Sequence, residues 1–162
     1  MQRIKALVID VDGTLTDGKI YLSNNGELFK AFNVKDGYGI KNILPKYNVL
    51  PVVVTGRISE IVQKRCEELE IVHFFQGVKD KAACLSEFLE KQQLSFEEVA
   101  YIGDDDNDLL VMNECGVVGC PSDSSEGVKS IAQFISKKSG GNGAVREFID
   151  WLVTNGYFMQ TS

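Results

Sequence analysis

Six short apolar runs punctuate the chain: Ile4–Ile9, Val52–Val54, Val72–Phe75, Val99–Ile102, Val117–Val118 and Ile131–Ile135. Runs of this length, rich in Val and Ile, predict buried strands. Between them apolar residues recur at helical spacing over Ile58–Leu69, Ala82–Leu89 and Asp108–Cys115, and a further helix is predicted over Ala144–Leu152. The alternation predicts an α/β fold, a parallel sheet with helices on both faces. One segment breaks the rhythm. Lys19-Ile20-Tyr21-Leu22 and Glu27-Leu28-Phe29 surround Ser23-Asn24-Asn25-Gly26, and Asn-Gly is a strong hairpin-turn signal. No internal repeat, linker or low-complexity stretch appears. Residues 1–162 therefore read as one domain around one core, with a hairpin at about 18–33 and a glycine-rich tail at about 138–162.

Charge narrows the choice of partners. The net charge is −6 and no basic run occurs, which argues against nucleic acid and anionic membranes as partners. No apolar stretch approaches the roughly 18 residues of a membrane span, and no signal peptide precedes the first run, so a cytoplasmic protein is expected. Cys66, Cys84, Cys115 and Cys120 lack CxxC spacing. Cys66, with Ile58, Ile61, Val62 and Leu69, and also Cys84 read as core positions on helix faces. Cys115 and Cys120 flank Gly116-Val117-Val118-Gly119, an edge-strand pattern, and none of the four is assigned chemistry.

The candidate chemistry lies where two of the apolar runs end. Val8-Ile9-Asp10-Val11-Asp12-Gly13-Thr14 closes the first run with two carboxylates two residues apart, which a strand would project from one face. Val99-Ala100-Tyr101-Ile102-Gly103-Asp104-Asp105-Asp106-Asn107-Asp108 repeats the design. Open α/β sheets bind ligands at the carboxyl ends of their strands. Side by side, the two ends would make a divalent-cation site, and hard oxygen ligands select Mg²⁺ over zinc. His73, within Ile71-Val72-His73-Phe74-Phe75, reads as a strand residue and not as a ligand or base.

Asp10-Val11-Asp12-Gly13-Thr14 resembles the nucleophile motif of the haloacid dehalogenase (HAD) phosphatases, and Gly103-Asp104-Asp105-Asp106-Asn107-Asp108 resembles their metal motif. Val53-Val54-Thr55-Gly56-Arg57 and Asp80-Lys81 are similar to the two motifs between them. The resemblance implies the Rossmann-like three-layer parallel sheet of the HAD fold and a phosphoryl-transfer site. In it Asp10 is the nucleophile, giving an aspartyl-phosphate, and Asp12 is the general acid and base. Thr55 and Lys81 stabilise charge on the phosphoryl oxygens. Asp10 and Asp104 ligate Mg²⁺ through side chains and Asp12 through its backbone carbonyl, while Asp105 and Asp108 bind through water or orient the ligands. Lys79 competes with Lys81 for the lysine role, and the lysine after Asp80 fits the motif better. Thr55 could also cap a helix, a role compatible with phosphate binding.

Many HAD enzymes carry an inserted cap domain, for which this chain has no room. The hairpin is similar to the family's flap. The capless branch resembled, which includes the 3-deoxy-D-manno-octulosonate 8-phosphate (KDO 8-phosphate) phosphatases, shares Asn33-Val34-Lys35-Asp36-Gly37-Tyr38-Gly39-Ile40, Thr55-Gly56-Arg57, Arg65-Cys66, Phe75-Gln76-Gly77 and Gly140-Gly141-Asn142-Gly143-Ala144-Val145-Arg146-Glu147. This likeness implies a sugar acid phosphate as substrate, in lipopolysaccharide or sialic acid synthesis, and a homotetramer whose subunits close one another's sites. Gly13, Lys35, Asp36, Gly37, Gly56, Arg57, Arg65 and Arg146 are its substrate-binding candidates, and Arg57 favours the eight-carbon acid over nine-carbon 9-phosphates. A non-catalytic module related to those fused to cytidylyltransferases is the alternative of another class.

Overall fold

The structure, a computed structural model, describes residues 3–159. Positions 160–162, the end of the expected tail, lie outside the described residues. Six parallel strands form one sheet in the order β5-β4-β1-β6-β7-β8: β1 (Ala6–Ile9), β4 (Leu50–Val54), β5 (His73–Phe75), β6 (Val99–Ile102), β7 (Val117–Cys120) and β8 (Phe134–Ile135). The expected parallel α/β sheet is present. Central β1 has Ile9 level with Val53 of β4 and Ile102 of β6. A strand paired on both sides and covered on both faces has no polar side, which is why β1 reads as a continuous apolar run.

Alternate residues divide the core into two layers. Leu7, Ile9, Val53, Ala100 and Ile102 meet Val62 and Cys66 of α2 (Glu60–Glu68) and Val145, Phe148, Ile149 and Leu152 of α6 (Ala144–Thr154). Ala6, Val8, Val52, Val54 and Tyr101 meet Leu85, Phe88 and Leu89 of α3 (Lys81–Gln92), Val111 and Met112 of α4 (Leu109–Met112), and Val128 of α5 (Glu126–Ile131). His73 lies in β5, 5.0 Å from the Phe88 ring.

Several boundaries differ from the sequence reading. β7 lies between β6 and β8, so Gly116–Gly119 is not an edge pattern, and Cys120 belongs to the strand. The run Ile131–Ile135 divides between the end of α5 and a two-residue strand. Ile58 is 82% exposed and contributes nothing to the Cys66 face, because Ser59 caps α2 one residue later by accepting the Val62 N–H. Residues 109–112 alone are α-helical within the expected Asp108–Cys115, preceded by a tight turn at Asp106–Asp108.

Periodicity also missed α1 (Val34–Tyr38), the helical turns that carry it to Tyr47, and α5. All are too short for a repeat to declare itself. Between β1 and α1 the chain forms a wide turn over Val11–Leu15 and then the hairpin, β2 (Tyr21–Ser23) and β3 (Gly26–Phe29). Asn24 and Asn25 make the turn, one residue earlier than Asn-Gly suggested, and Gly26 opens β3 with φ 108°.

Phe148 is completely buried and stacks on Phe134 at 5.5 Å. Phe148→Ala should cost about 3–5 kcal/mol. Urea unfolding would show it as a lower midpoint at unchanged slope; a midpoint within error of the parent would mean that the layer formed with α2 and α6 does not depend on this ring.

Candidate active site

Parallel strands end together, and three of these ends supply the site. Asp10 follows β1, Thr55 follows β4, and Gly103-Asp104 follow β6. The Asp10 N–H donates to the Ile102 carbonyl at 3.1 Å, which seats the two acidic loops side by side. The chain leaves β1 for β4 and β5 on one side and returns to β6, β7 and β8 on the other, so Asp10 stands at the switch point of the sheet.

Lys81, the first residue of α3, donates from Nζ to Asp10 Oδ1 at 2.9 Å and to Asp108 Oδ1 at 2.8 Å. All three side chains are buried. The Tyr101 hydroxyl also donates to Asp108 Oδ1, at 2.7 Å, and the Thr14 hydroxyl donates to Asp104 Oδ1 at 3.0 Å. Carboxylate oxygens of Asp10, Asp104 and Asp108 lie within 4.8 Å of one another. Burial pushes the Asp10 carboxyl well above its usual range; the negative charge of Asp108 adds to this and the Lys81 ammonium opposes it. Burial also raises Asp104, against hydrogen bonds from Asp10 and Thr14.

Three carboxylates facing one ammonium leave an excess of negative charge in a region of low dielectric. Asp108 Oδ2 is buried without a hydrogen-bond partner. An oxygen-only donor set with an unpartnered buried oxygen fits a hard divalent cation such as Mg²⁺. Two glycines leave room for the carboxylates. A Cβ on Gly13, whose φ is 91°, would lie 2.0 Å from Asp104 Oδ2, and one on Gly103 would lie 2.6 Å from Asp108 Oδ2.

Asp12 is half-buried one turn away, and Lys30 Nζ holds its Oδ1 at 2.7 Å. Lys30 also pairs with Glu27 Oε1 at 3.0 Å. Burial disfavours its charge, but hydrogen bonds to the two carboxylates keep its pKa above the usual lysine value. Glu27 Oε2 accepts from the Ser59 hydroxyl at 2.5 Å. Thr55 is buried, its backbone bonded to Phe75 and Val78; the cap of α2 is Ser59, so the capping alternative for Thr55 does not apply. Lys79 is exposed, and Lys81 is the lysine that reaches Asp10.

The other candidates are placed differently. The Asp105 side chain is exposed and accepts the Asp106 N–H, away from the carboxylate cluster that Asp108 joins. Gly56 and Arg57 are exposed. Burial alone would raise the Glu27 carboxyl, but Ser59 and Lys30, helped by the Arg57 charge, hold it below its usual value. Lys35 is exposed. Gly37 packs so closely on Arg65 that a Cβ would lie 2.5 Å from its guanidinium, and Arg65 pairs with Glu68 and sits over the Phe32 ring. Arg146 pairs through Nε with both oxygens of Asp150 and lies over the Tyr38 ring.

Asp36, offered as a substrate ligand, is instead buried at the start of α6, where Oδ1 accepts the Arg146 N–H at 2.9 Å and Oδ2 has no partner. The glycine segment ahead of that helix packs on the acidic loop of the same chain. Gly141 N–H donates to the Thr14 carbonyl at 3.1 Å, and a Cβ on Gly140 would lie 1.9 Å from the Gly13 carbonyl oxygen.

Sequence reasoning missed Lys30, Thr14 and Tyr101. A buried tyrosine needs a partner for its hydroxyl, and an oxygen donor beside acidic residues is a usable signal in both Tyr101 and Thr14. Nothing local marks Lys30, whose partner Asp12 is 18 residues away.

The family model described as haloacid dehalogenase-like hydrolase matches residues 59–149. The 3-deoxy-D-manno-octulosonate 8-phosphate phosphatase of Salmonella typhi is 43% identical over 152 residues, 94% of this chain and 80% of that protein. The crystal structure of the Moraxella catarrhalis phosphatase of the same name, in complex with a magnesium ion, a phosphate ion and a KDO molecule, superposes with TM-score 0.89 at 36% identity, covering 95% of this chain and 89% of that one. The cobalt-bound Haemophilus influenzae phosphatase gives 0.90 at 37% identity, covering 95% and 90%.

Burial pushes the Asp36 carboxyl up to about 6, against the opposing effects of backbone N–H groups at the start of α6 and of the Arg65 charge. A carboxyl raised on folding contributes stability below its unfolded pKa, near 4, and loses it as the pH rises through 6. The stability of Asp36→Asn relative to the parent should therefore improve by roughly 2 kcal/mol between pH 4 and pH 7. Chemical denaturation at the two pH values measures this, and a pH-independent difference would mean that Asp36 titrates normally.

Proposed function

The chain belongs to the haloacid dehalogenase-like hydrolase family, and on that premise we propose that it is a Mg²⁺-dependent phosphatase that releases phosphate from KDO 8-phosphate through an aspartyl-phosphate. The observation that carries the chemistry is the buried Asp10 carboxylate, held by Lys81 against Asp104 and Asp108. The substrate rests on the 43% identity to a KDO 8-phosphate phosphatase across nearly the whole chain.

A phosphate monoester hydrolyses very slowly unaided, so the enzyme must align a nucleophile and offset charge on the phosphoryl group. We assign the attack to Asp10, whose free carboxylate oxygen forms a bond to phosphorus as the ester P–O bond breaks. Asp12 gives its proton to the departing alkoxide. It then takes a proton from a water that attacks the aspartyl-phosphate, and the Asp10–phosphorus bond breaks to release phosphate. Lys81 keeps the nucleophile in place and offsets charge on the phosphoryl oxygens, and Thr55, at the end of β4, supplies a hydroxyl to one of them. Asp10, Asp104 and the Asp12 carbonyl would hold Mg²⁺, with Asp108 beside them. Bound there, the ion screens the charge of the nucleophile from that of the substrate. Arg57 and Arg65 are the cations proposed for the sugar carboxylate.

The single-domain reading is supported by one sheet that draws strands from Ala6 to Ile135, with α6 closing a face. Cytoplasmic localisation is proposed on the four unpaired cysteines; no helix among the described residues is long and apolar enough to cross a membrane. A homotetramer is proposed because the hairpin leaves Leu22, Leu28 and Phe29 exposed beside a site that has no cap. Sedimentation equilibrium showing only monomer would remove that reading.

Asp10→Asn should lower phosphate release from KDO 8-phosphate on the order of a thousandfold or more, with the fold unchanged by circular dichroism. The parent enzyme should prefer KDO 8-phosphate to N-acetylneuraminate 9-phosphate and to hexose phosphates. Full activity in the variant would refute the nucleophile assignment, and no turnover by the Mg²⁺-loaded parent would favour the non-catalytic module.

A further inference from the structure

Asp12 leaves β1 in a turn that no regular element supports, with ψ 115° and a left-handed Gly13 immediately after it. Its side chain is 21% exposed, and among the described residues the one hydrogen-bond partner of its carboxylate is Lys30. Lys30 comes from the hairpin, just beyond β3, and its side chain is 3% exposed. An ammonium buried so fully needs counter-charges, and Glu27 is one already, at 3.0 Å. Glu27 is in turn fixed by the Ser59 hydroxyl, and the Ser59 N–H donates to Gln76 Oε1 at 2.9 Å. A continuous polar chain thus runs from the start of α2 through the hairpin to Asp12.

We propose that Lys30 is a positioning residue for Asp12, fixing the carboxylate that moves the proton, and that Glu27 anchors Lys30 to the start of α2. The inference rests on the acid and base role given to Asp12 above and adds that the flap supports catalysis through this contact. The geometry supports the role because a carboxylate with two free torsions and little packing samples many positions, and a buried cation on a tethered strand end selects one. A misplacement of about 1 Å at a catalytic group costs about a hundredfold in rate. The loss should depend on the leaving group. An alkoxide such as that of a sugar phosphate needs the proton from Asp12, whereas 4-nitrophenolate leaves without one.

The experiment compares Lys30→Met with the parent, as Mg²⁺-loaded full-length protein, on KDO 8-phosphate and on 4-nitrophenyl phosphate. The single-turnover rate of leaving-group release, which precedes the water step that both esters share, should fall about a hundredfold for the sugar ester and under about tenfold for the aryl ester, with KM for the sugar ester changed less than about threefold. Lys30→Arg, which keeps the cation, should recover most of the loss. Glu27→Gln keeps a hydrogen bond to Ser59, so it should fold even if Lys30→Met does not, and should show a smaller loss with the same bias toward the sugar ester. Equal losses on both esters in Lys30→Met or Glu27→Gln would overturn the positioning role. Asp12→Asn, assayed in parallel, separates the two levels. If it too slows leaving-group release from both esters equally, the acid role given to Asp12 has failed and the inference falls with it; if it shows the bias and the Lys30 variants do not, Lys30 alone is misassigned.

Discussion

A lysine ammonium enclosed by two buried carboxylates holds this site together. Lys81 touches Asp10 and Asp108 at 2.9 and 2.8 Å. Isolated charges lose several kcal/mol of hydration at such burial, so each of the three depends on the others. Together they set where α3 begins, because its first residue must lie between the ends of β1 and β6. The charge balance is still negative, and that excess of charge is what fits the site to a cation. The same contact therefore decides packing, electrostatics and chemistry.

Around it, missing side chains matter as much as present ones. Gly13, Gly103 and Gly140 each stand where a Cβ would strike a carboxylate or a backbone carbonyl. They let two acidic loops and the segment before α6 approach backbone to backbone. The cost of this closeness is rigidity of sequence at positions that contribute no functional group.

The sheet and the clustered carboxylates Asp10, Asp104 and Asp108 were legible from the sequence because both are local signals. Two buried strands that each run into an acidic loop mark the two sides of the cluster, but β1 stops at Ile9, so Asp12 lies in the turn beyond it and not on a strand face with Asp10. Short helices such as α1 and α5 were not legible, because five or six residues cannot display a 3.6-residue period. Asp36 was read as a ligand from a motif, yet it is a cap for a helix 110 residues away, a long-range contact that no local pattern encodes. Lys30 was missed for the same reason, and Ile58 was misplaced because Ser59, not Thr55, starts α2.

The distances along the chain between partners in this site have a consequence for how the protein comes into being. Lys81 lies 71 residues beyond Asp10, and Asp104 lies 90 beyond Thr14. During synthesis the strand that will occupy the middle of the sheet emerges before the other strands of that sheet, and its neighbours on one side follow only after those on the other. Long-range closure of this kind is slow compared with helix formation. A growing chain thus carries Asp10 as an ordinary exposed aspartate until Lys81 and the loop after β6 have followed, and only then can the buried carboxylate cluster form.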